Sequence, residues 1–397
     1  MDKEMLSLKK AQSLGRTLEP SSCGRNAKSG CWARGGAACM LRSIFCLLLT
    51  LSSLFAEQET SEPHVAASAS AAPPVAEQKT KARNLISPEE LSQAIATTVR
   101  QTLEEQKGAV IQVEALDERG KLYGSGFFAD PFGTIYTLSS VATGATSLVV
   151  IQGTKRLPAR LLVSDSRSGL ALIKVKAEGA FLVPGDSSKL QIGDPLLAIG
   201  YPQALQESPS FGIIAGFDRR YGNSYFSTTH IRTSIPVQRG FGGAPVLNMR
   251  GEVIGIIVSG LEGGGGCYIL PIAAMEKIWK DFERFGEIRH GWMGVLVAEA
   301  PDSVAGSTAT ISGLEPGTPA ASCGLKRGDV IIRIGETQIH TAEDVLDASF
   351  FLTAGELTSI EIIRAGEEMT LEVRSVTHPH ANTSEIQVEP LNLRSKD

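Results

Sequence analysis

Polar and apolar residues alternate over short distances along the chain after residue 109, and turns rich in Gly, Asp, Pro and Ser separate the runs. This pattern predicts short β-strands. The predicted strands before residue 272 are 110–115, 126–129, 134–138, 147–152, 159–164, 171–175, 195–200, 210–217, 230–234, 244–247, 253–259 and 267–271. A dozen short strands with no recognisable helix among them predict a barrel or sandwich of about 160 residues.

Helical signals flank this β-rich region. Ser87-Pro88-Glu89-Glu90 has a capping serine, a proline in the first turn and acidic side chains at the positive helix end, so a helix is predicted to run to about Gln106. A closing helix is predicted at 273–285. After Gly286, strands near 294–298, 309–314, 329–334, 359–364 and 369–373 and helices at 319–323 and 342–352 predict a small α+β domain.

The first 56 residues are predicted to be a leader that contains an export signal. Residues 1–39 carry seven Lys or Arg against three Asp or Glu, and an apolar run follows at 44–55. A basic flank, about a dozen apolar residues and a small residue before a polar stretch are typical of such a signal. Met40 is the predicted true start, because the signal that begins there is complete by itself. An uncleaved anchor or a buried helix is the alternative interpretation.

Composition narrows the possible functions. Residues 57–85, rich in Ala, Ser, Pro and Glu, predict a flexible linker. The net charge of −5 gives no support for a nucleic-acid-binding surface. No apolar run reaches the roughly 20 residues of a membrane span, so membrane contact is expected only through an uncleaved signal. Outside the leader only Cys267 and Cys323 remain, without a C-x-x-C motif, and no metal or organic cofactor is expected.

Several motifs together resemble the HtrA/Deg serine proteases, which are trypsin-like double β-barrels followed by PDZ domains. The motifs that carry this resemblance are Gly124-Ser125-Gly126-Phe127, Asp165-Ser166-Arg167-Ser168-Gly169-Leu170-Ala171-Leu172-Ile173-Lys174-Val175, Gly185-Asp186-Ser187, Ile192-Gly193-Asp194-Pro195, Ala198-Ile199-Gly200-Tyr201-Pro202 and Gly251-Glu252-Val253-Ile254-Gly255-Ile256. The matching PDZ motifs are Gly291-Trp292-Met293-Gly294-Val295, Pro316-Gly317-Thr318-Pro319-Ala320-Ala321 and Gly324-Leu325-Lys326-Arg327-Gly328-Asp329-Val330-Ile331. The resemblance implies a mainly β protein: a trypsin-like double β-barrel at 86–286, a small α+β PDZ domain at 290–377 and a polar tail at 378–397.

All three positions at which the resemblance implies a catalytic triad are substituted. Ser140 stands where the family has its histidine, Gly169 stands where it has its aspartate, and Gly242 stands where it has its serine nucleophile. Hydrolysis of this kind needs a nucleophile, a base and a carboxylate that orients the base. The sequence therefore predicts that the triad chemistry is lost.

Little is predicted to replace that chemistry. No histidine occurs between His64 and His230, and we assign His230 a structural or surface role. A loop of backbone N–H groups around Gly240 and Gly243 is the predicted remnant of the oxyanion site.

The PDZ resemblance implies that the chain binds an extended peptide, usually a C-terminus, as an added strand. Backbone amides of the loop at Trp292, Met293, Gly294 and Val295 are predicted to hold the terminal carboxylate. Ala348, Phe350 and Phe351 are assigned either to the lining of the peptide groove or to the domain core.

The sequence therefore predicts a non-catalytic HtrA-like protein of the periplasm that binds unfolded or C-terminal peptide segments as a chaperone, sensor or regulatory subunit. The resemblance implies a homo-oligomer, a trimer in most of the family. Two alternatives stay open. One is a serine-type endopeptidase that acts through a rearranged site or with an active partner chain, and the other is a structural PDZ docking protein.

Overall fold

The computed structural model describes residues 86–222 and 224–378. The predicted leader, the linker and the tail beyond residue 378 therefore lie outside the described residues. Two closed six-stranded barrels come first along the chain, and a smaller domain of strands and helices follows them. The prediction of a mainly β protein with a double barrel and a small α+β domain is confirmed.

Helix α1 (Pro88–Glu105) begins at the predicted residues. The Ser87 hydroxyl accepts a hydrogen bond from the Glu90 N–H at 3.1 Å, and the Glu90 carboxylate accepts one from the Ser87 N–H at 2.9 Å. These reciprocal bonds satisfy two of the N–H groups that a helix start leaves without partners.

The first barrel follows α1, and its strands are all antiparallel to their neighbours. Its strands are β1 (Val110–Asp117), β2 (Gly120–Phe128), β3 (Thr134–Leu138), β4 (Ser147–Gln152), β5 (Lys155–Asp165) and β6 (Leu170–Val175), in the order β1-β2-β3-β6-β5-β4 around the barrel. A four-residue helix, α2 (Ser139–Ala142), joins β3 to β4. The sequence did not predict this helix, because four residues are too few to show a helical period.

The second barrel has the same number of strands. They are β7 (Pro195–Gly200), β8 (Ser208–Tyr221), β9 (Ser224–Thr233), β10 (Pro245–Leu247), β11 (Val253–Gly260) and β12 (Cys267–Pro271), in the order β10-β11-β12-β9-β8-β7. Short 3₁₀ turns lie at Ser187–Lys189, Pro202–Ala204 and Glu262–Gly264. Helix α3 (Ile272–Phe285) closes the region and ends at Gly286, which has a φ of 74°.

The third domain is built on a six-stranded antiparallel sheet. Its elements are β13 (Gly291–Trp292), β14 (Val295–Val304), β15 (Ser307–Leu314), α4 (Pro319–Ser322), β16 (Val330–Ile334), β17 (Thr337–Gln338), α5 (Ala342–Phe351), β18 (Leu357–Arg364), β19 (Glu367–Arg374) and β20 (Val376–Thr377). The order β14-β15-β16-β18-β19 places β14 at an edge, β17 pairs with β16, and β13 pairs with β20. The three two-residue strands β13, β17 and β20 were not predicted.

The third domain packs directly against the second barrel through α5 and β9. Asp347 on α5 accepts hydrogen bonds from the Thr228 hydroxyl at 2.6 Å and from the Thr229 N–H at 2.5 Å. Phe350 on α5 is completely buried and belongs to the same apolar cluster as residues of both barrels.

No helix among the described residues is long and apolar enough to cross a membrane.

Candidate functional site

A cavity of about 140 Å³ is lined by residues of both barrels. The first barrel contributes Ser140 at the start of α2 and Gly169 at the end of the β5–β6 loop, and the second barrel contributes Phe226 and His230 from β9. Two of the three positions at which the sequence predicts a lost triad residue therefore meet at one place.

There is free space next to Gly169 in the cavity wall, because this residue has no side chain. Its φ is 76°, and a Cβ atom added to it would meet no other atom within 4 Å. Its backbone is fixed, because the Gly169 N–H donates to the Asp165 carbonyl at 2.9 Å and the Ser139 N–H donates to the Gly169 carbonyl at 2.8 Å. The backbone is thus held in place, and the space around the position of a Cβ atom is open.

Gly242 lies close by but does not line the cavity. Its carbonyl accepts a hydrogen bond from the Ser125 N–H at 2.8 Å. A Cβ atom added to Gly124 would lie 2.8 Å from a methyl group of Val141 and 3.1 Å from the Gly242 carbonyl oxygen. The loop of Gly242 and the helix that carries Ser140 therefore approach the same point, and Gly242 brings only backbone atoms to it.

The predicted oxyanion remnant is smaller than the sequence indicated. The Gly243 N–H donates to the Ile257 carbonyl at 2.9 Å, so this amide is occupied by the barrel's own hydrogen bonding. The Gly240 carbonyl accepts from the Ser125 hydroxyl at 2.7 Å. We correct the prediction for Gly243, because an N–H that is already donated within the barrel cannot stabilise a substrate oxyanion.

His230 is the functional candidate that sequence reasoning missed. It is 3% exposed and lines the cavity beside Ser140, so it is not a surface residue. Its Nδ1 lies 2.7 Å from the Thr228 carbonyl oxygen, and because a carbonyl only accepts, Nδ1 carries the hydrogen and Nε2 holds a lone pair. The ring stacks on Phe226 with the centroids 4.3 Å apart. Spacing along the chain gives no signal for this position, which depends on how two barrels meet.

The imidazole of His230 is a weak base. Burial lowers its pKa to about 4, so the ring is neutral at pH 7. A general base works best with a pKa near the operating pH and within hydrogen-bond reach of the proton that it removes. Among the described residues His230 is bonded to a backbone carbonyl, and no serine hydroxyl is hydrogen-bonded to its ring.

A second imidazole lies at the contact between the first barrel and the third domain, and the sequence did not predict its role either. The His290 Nε2 is 3.0 Å from Asp165 Oδ1, and the Ser168 hydroxyl donates to Asp165 Oδ2 at 2.6 Å. Burial raises the pKa of Asp165, but the hydrogen bonds from His290 and Ser168 outweigh it and hold the pKa below its usual range. The carboxylate stands between serine and histidine. In a catalytic triad the imidazole stands between the other two, so this trio cannot activate the serine.

The predicted peptide loop has an ordered backbone. The Met293 carbonyl accepts from the Ala320 N–H at 3.0 Å, and the Gly294 carbonyl accepts from the Glu315 N–H at 3.0 Å. Gly294 has a φ of 80°, and a Cβ atom here would lie 2.5 Å from the Thr318 Cβ. Only glycine fits this position without displacing its neighbours.

The elements around this loop suit strand addition. Trp292 lies in β13 and pairs with Val376, and Val295 begins β14. Within the described part of the chain β14 pairs only with β15, so its other edge is open towards α5. Of the aromatic residues on α5, Phe350 belongs to the buried core and Phe351 is 38% exposed beside α3, so neither lines a groove between β14 and α5.

Comparison with known proteins agrees with this architecture. Residues 124–256 match the family described as a trypsin-like peptidase domain, and residues 287–374 match the PDZ domain family. A probable periplasmic serine endoprotease, DegP-like, from Hahella chejuensis is 29% identical over 296 residues, which cover 69% of this chain and 63% of that protein. The chain is therefore similar to the HtrA-type proteases in both of its domains and in their order. A protein of the same description from Pseudomonas putida is 31% identical over 63% of this chain and 55% of its own length.

Solved structures of HtrA-type proteases have the same fold as this chain. The HtrA-type protease AlgW with tripeptide has a TM-score of 0.61 at 22% identity, and the match covers 70% of this chain and 97% of that one. A serine endoprotease from Yersinia pestis has a TM-score of 0.54 at 23% identity, with coverage of 70% and 97%. The chain spans between 54% and 63% of the length of the curated relatives it matches.

Proposed function

We propose that this HtrA-like chain is a non-catalytic peptide-binding protein of the periplasm that acts as a chaperone, sensor or regulatory subunit. The observation that supports the loss of catalysis is the state of the cleft between the barrels. Ser140 and Gly169 line it, Gly242 has no nucleophilic atom, and the one imidazole in its wall is neutral and hydrogen-bonded to a carbonyl. Loss of a triad as a unit lowers turnover by about 10⁶-fold.

The peptide-binding part of the proposal rests on the third domain. Its loop keeps the left-handed glycine at position 294, and β14 keeps an open edge beside α5. Both features belong to the backbone and need no catalytic side chain. Two of the similar AlgW structures are described as holding a tripeptide and a decapeptide, which makes peptides the first ligands to test.

The proposed location and assembly rest on relatives alone. The DegP-like proteins are described as probable periplasmic endoproteases, which supports export of this chain. The apolar N-terminal segment lies outside the described residues. A homo-oligomer, trimeric by resemblance, is part of the proposal.

Two measurements on the purified full chain test the proposal. Incubation with casein and labelling by a fluorophosphonate probe are expected to show no cleavage and no adduct. A pull-down from a library of peptide C-termini is expected to show enrichment, and the Gly294→Ala variant is expected to lose it. Cleavage that persists through purification would favour the peptidase alternative. Failure to enrich any C-terminal sequence would favour a structural docking protein.

A separate alternative is that a sister protease chain supplies the activity, and this alternative predicts a different experimental result. Cleavage would then appear in fractions that contain a sister protease and disappear when this chain is purified alone. Reconstitution of the two chains would restore it. The purified chain by itself stays inactive under the non-catalytic proposal and under this alternative, so the co-fractionation experiment distinguishes them.

A further inference from the structure

The floor of the cavity between the barrels carries polar atoms that the protein does not satisfy. Ser227 is 6% exposed, and its hydroxyl makes no hydrogen bond with any described residue. His230 also lines the cavity; its Nε2 holds a lone pair, and its only hydrogen bond to the described part of the chain is through Nδ1. Because buried polar groups are nearly always paired, the unpaired Ser227 hydroxyl in the cavity lining points to a ligand.

The charge in the cavity wall is positive. Arg167 lines the cavity, and its guanidinium stacks over the Phe350 ring at 5.5 Å and donates to the Ser349 hydroxyl at 3.3 Å. It forms no ion pair within the described residues. Asp165 is the carboxylate that acts on it electrostatically, but that side chain is engaged by His290 and Ser168. Burial lowers the pKa of Arg167, so its charge is incompletely compensated by the protein.

We propose that this cavity binds a small carboxylate that also carries a hydrogen-bond donor. Arg167 supplies the positive charge, the Ser227 hydroxyl donates to the carboxylate, and the His230 Nε2 accepts from the ligand's donor. The Phe226 ring provides an apolar wall for the carbon atoms. This site is not the PDZ loop, and its occupancy needs no peptide bound there.

The size of the cavity limits the ligand. A cavity of about 150 Å³ holds a benzene molecule, so a ligand of about six non-hydrogen atoms fits here. Ser140 is exposed at the edge of the cavity, whereas Phe226, Ser227 and His230 are buried. A ligand therefore enters past Ser140 and reaches the polar floor. A free 2-hydroxy acid has this size, and so does an aspartate side chain on an extended peptide, whose backbone N–H supplies the donor.

The first experiment measures binding of small probes to the full chain by saturation-transfer NMR and titration calorimetry. Lactate is expected to bind more tightly than propionate, which lacks the donor, and lactamide, which lacks the charge, is expected to bind least. The Arg167→Met variant keeps the length of the side chain and removes its charge. It is expected to weaken lactate binding by about tenfold or more, because a charge-assisted hydrogen bond is lost.

Two further variants separate the cavity from the domain contact that Arg167 also makes. Ser349→Ala removes the hydrogen bond from Arg167 to α5 and leaves the cavity lining intact, so lactate binding is expected to persist. Ser227→Ala removes the buried donor and is expected to weaken lactate binding by several-fold. Circular dichroism and thermal unfolding of each variant establish that it is folded.

Several results of these binding experiments would overturn the proposed carboxylate site. Equal binding of lactate and lactamide, or no binding of any probe at millimolar concentration, would overturn it. Loss of binding in Ser349→Ala to the same degree as in Arg167→Met would also overturn it, since the effect would then come from domain docking. Competition between lactate and a peptide with an internal aspartate, but not asparagine, would identify a side chain as the source of the carboxylate. Lactate binding without such competition would identify a free acid.

Discussion

The cleft between the barrels and the loop of the third domain depend on different parts of the chain. Catalysis depends on side chains, whereas peptide binding by the loop depends on backbone atoms. Catalysis in the cleft would need three reactive side chains, and the sequence predicts their loss because Ser140, Gly169 and Gly242 stand at the positions of the histidine, the aspartate and the serine nucleophile. The loop before β14 presents backbone atoms, whose positions follow from the fold. Under the proposed function, substitution has abolished the chemistry of the cleft and has left a peptide-binding surface in the third domain.

A comparison of one glycine from the cleft with one glycine from the loop shows this difference in the structure. Gly169 and Gly294 have nearly the same left-handed φ, 76° and 80°. Around Gly169 the space is empty, whereas around Gly294 the Thr318 side chain leaves no room for a Cβ atom. A side chain at Gly169 would meet only the strain of the left-handed backbone, whereas a side chain at Gly294 would also overlap with Thr318.

The largest expected effect is at the residue that joins the two regions. Phe350→Ala is expected to lower the free energy of unfolding by about 3–5 kcal/mol, because Phe350 is wholly buried and its loss leaves a cavity next to the barrel core. Urea unfolding followed by tryptophan fluorescence measures this. Phe351→Ala is the matched control, and it is expected to cost much less because its ring is partly exposed. Equal costs would show that the ring at 350 does not anchor the domain.

The second-largest expected effect is a pH dependence of stability that comes from His230 in the cleft. The pKa of His230 is lowered from 6.5 to about 4, so between these values the unfolded chain binds a proton that the folded chain does not. Stability is therefore complete above pH 6.5 and falls as the pH drops towards 4, by about 3 kcal/mol in all. Unfolding midpoints measured across this range check it. His230→Phe is expected to flatten the profile, and an unchanged profile would contradict the assignment.

The third prediction tests the two glycines directly. Gly294→Ala is expected to lower stability by about 2–3 kcal/mol, because strain adds to the overlap with Thr318. Gly169→Ala is expected to lower stability by only about 1 kcal/mol, because the left-handed backbone is the one source of strain at this position. Denaturant unfolding of both variants gives the difference. The comparison between cleft and loop would fail if Gly169→Ala proved the more costly change.

The sequence predicted most of the fold because short alternating runs and turn residues carry that information locally. Helix α1 starts at Ser87 as expected, and each predicted strand has a counterpart. The two-residue strands and α2 were missed, because elements of two to four residues have no measurable period. The order of motifs indicated two barrels and a PDZ domain, and the match of residues 287–374 to the PDZ family agrees with the last of these.

The composition of the cavity could not be predicted in the same way. His230 and Ser140 are 90 residues apart, and only the closure of two barrels brings them to one wall. Phe350 was assigned to groove or core without a decision, because a helix that packs on a second domain has two buried faces. The Gly243 N–H was predicted to belong to an oxyanion site, and spacing does not reveal its bond to Ile257, which joins the turn before β10 to β11.

The smallest effect concerns the contact that holds the cleft and the third domain together. Asp347→Ala is expected to cost about 1–2 kcal/mol, because it leaves the Thr228 hydroxyl and the Thr229 N–H without their acceptor. Glu343→Ala is the matched control on the same helix. Its carboxylate is 3.9 Å from the guanidinium of Arg220 at an exposed position, where ion pairs contribute little.

A double-mutant cycle makes the Asp347 prediction specific to the contact. Thr228→Val removes the hydroxyl that Asp347 accepts from, so the cost of Asp347→Ala is expected to be smaller in that background. Additive costs would mean that the two side chains act independently and that α5 is held by other contacts, such as the ion pair between Arg219 and Asp344 at 2.5 Å. A shortfall from additivity would show that the hydrogen bond between Thr228 and Asp347 itself helps to hold α5 on the second barrel.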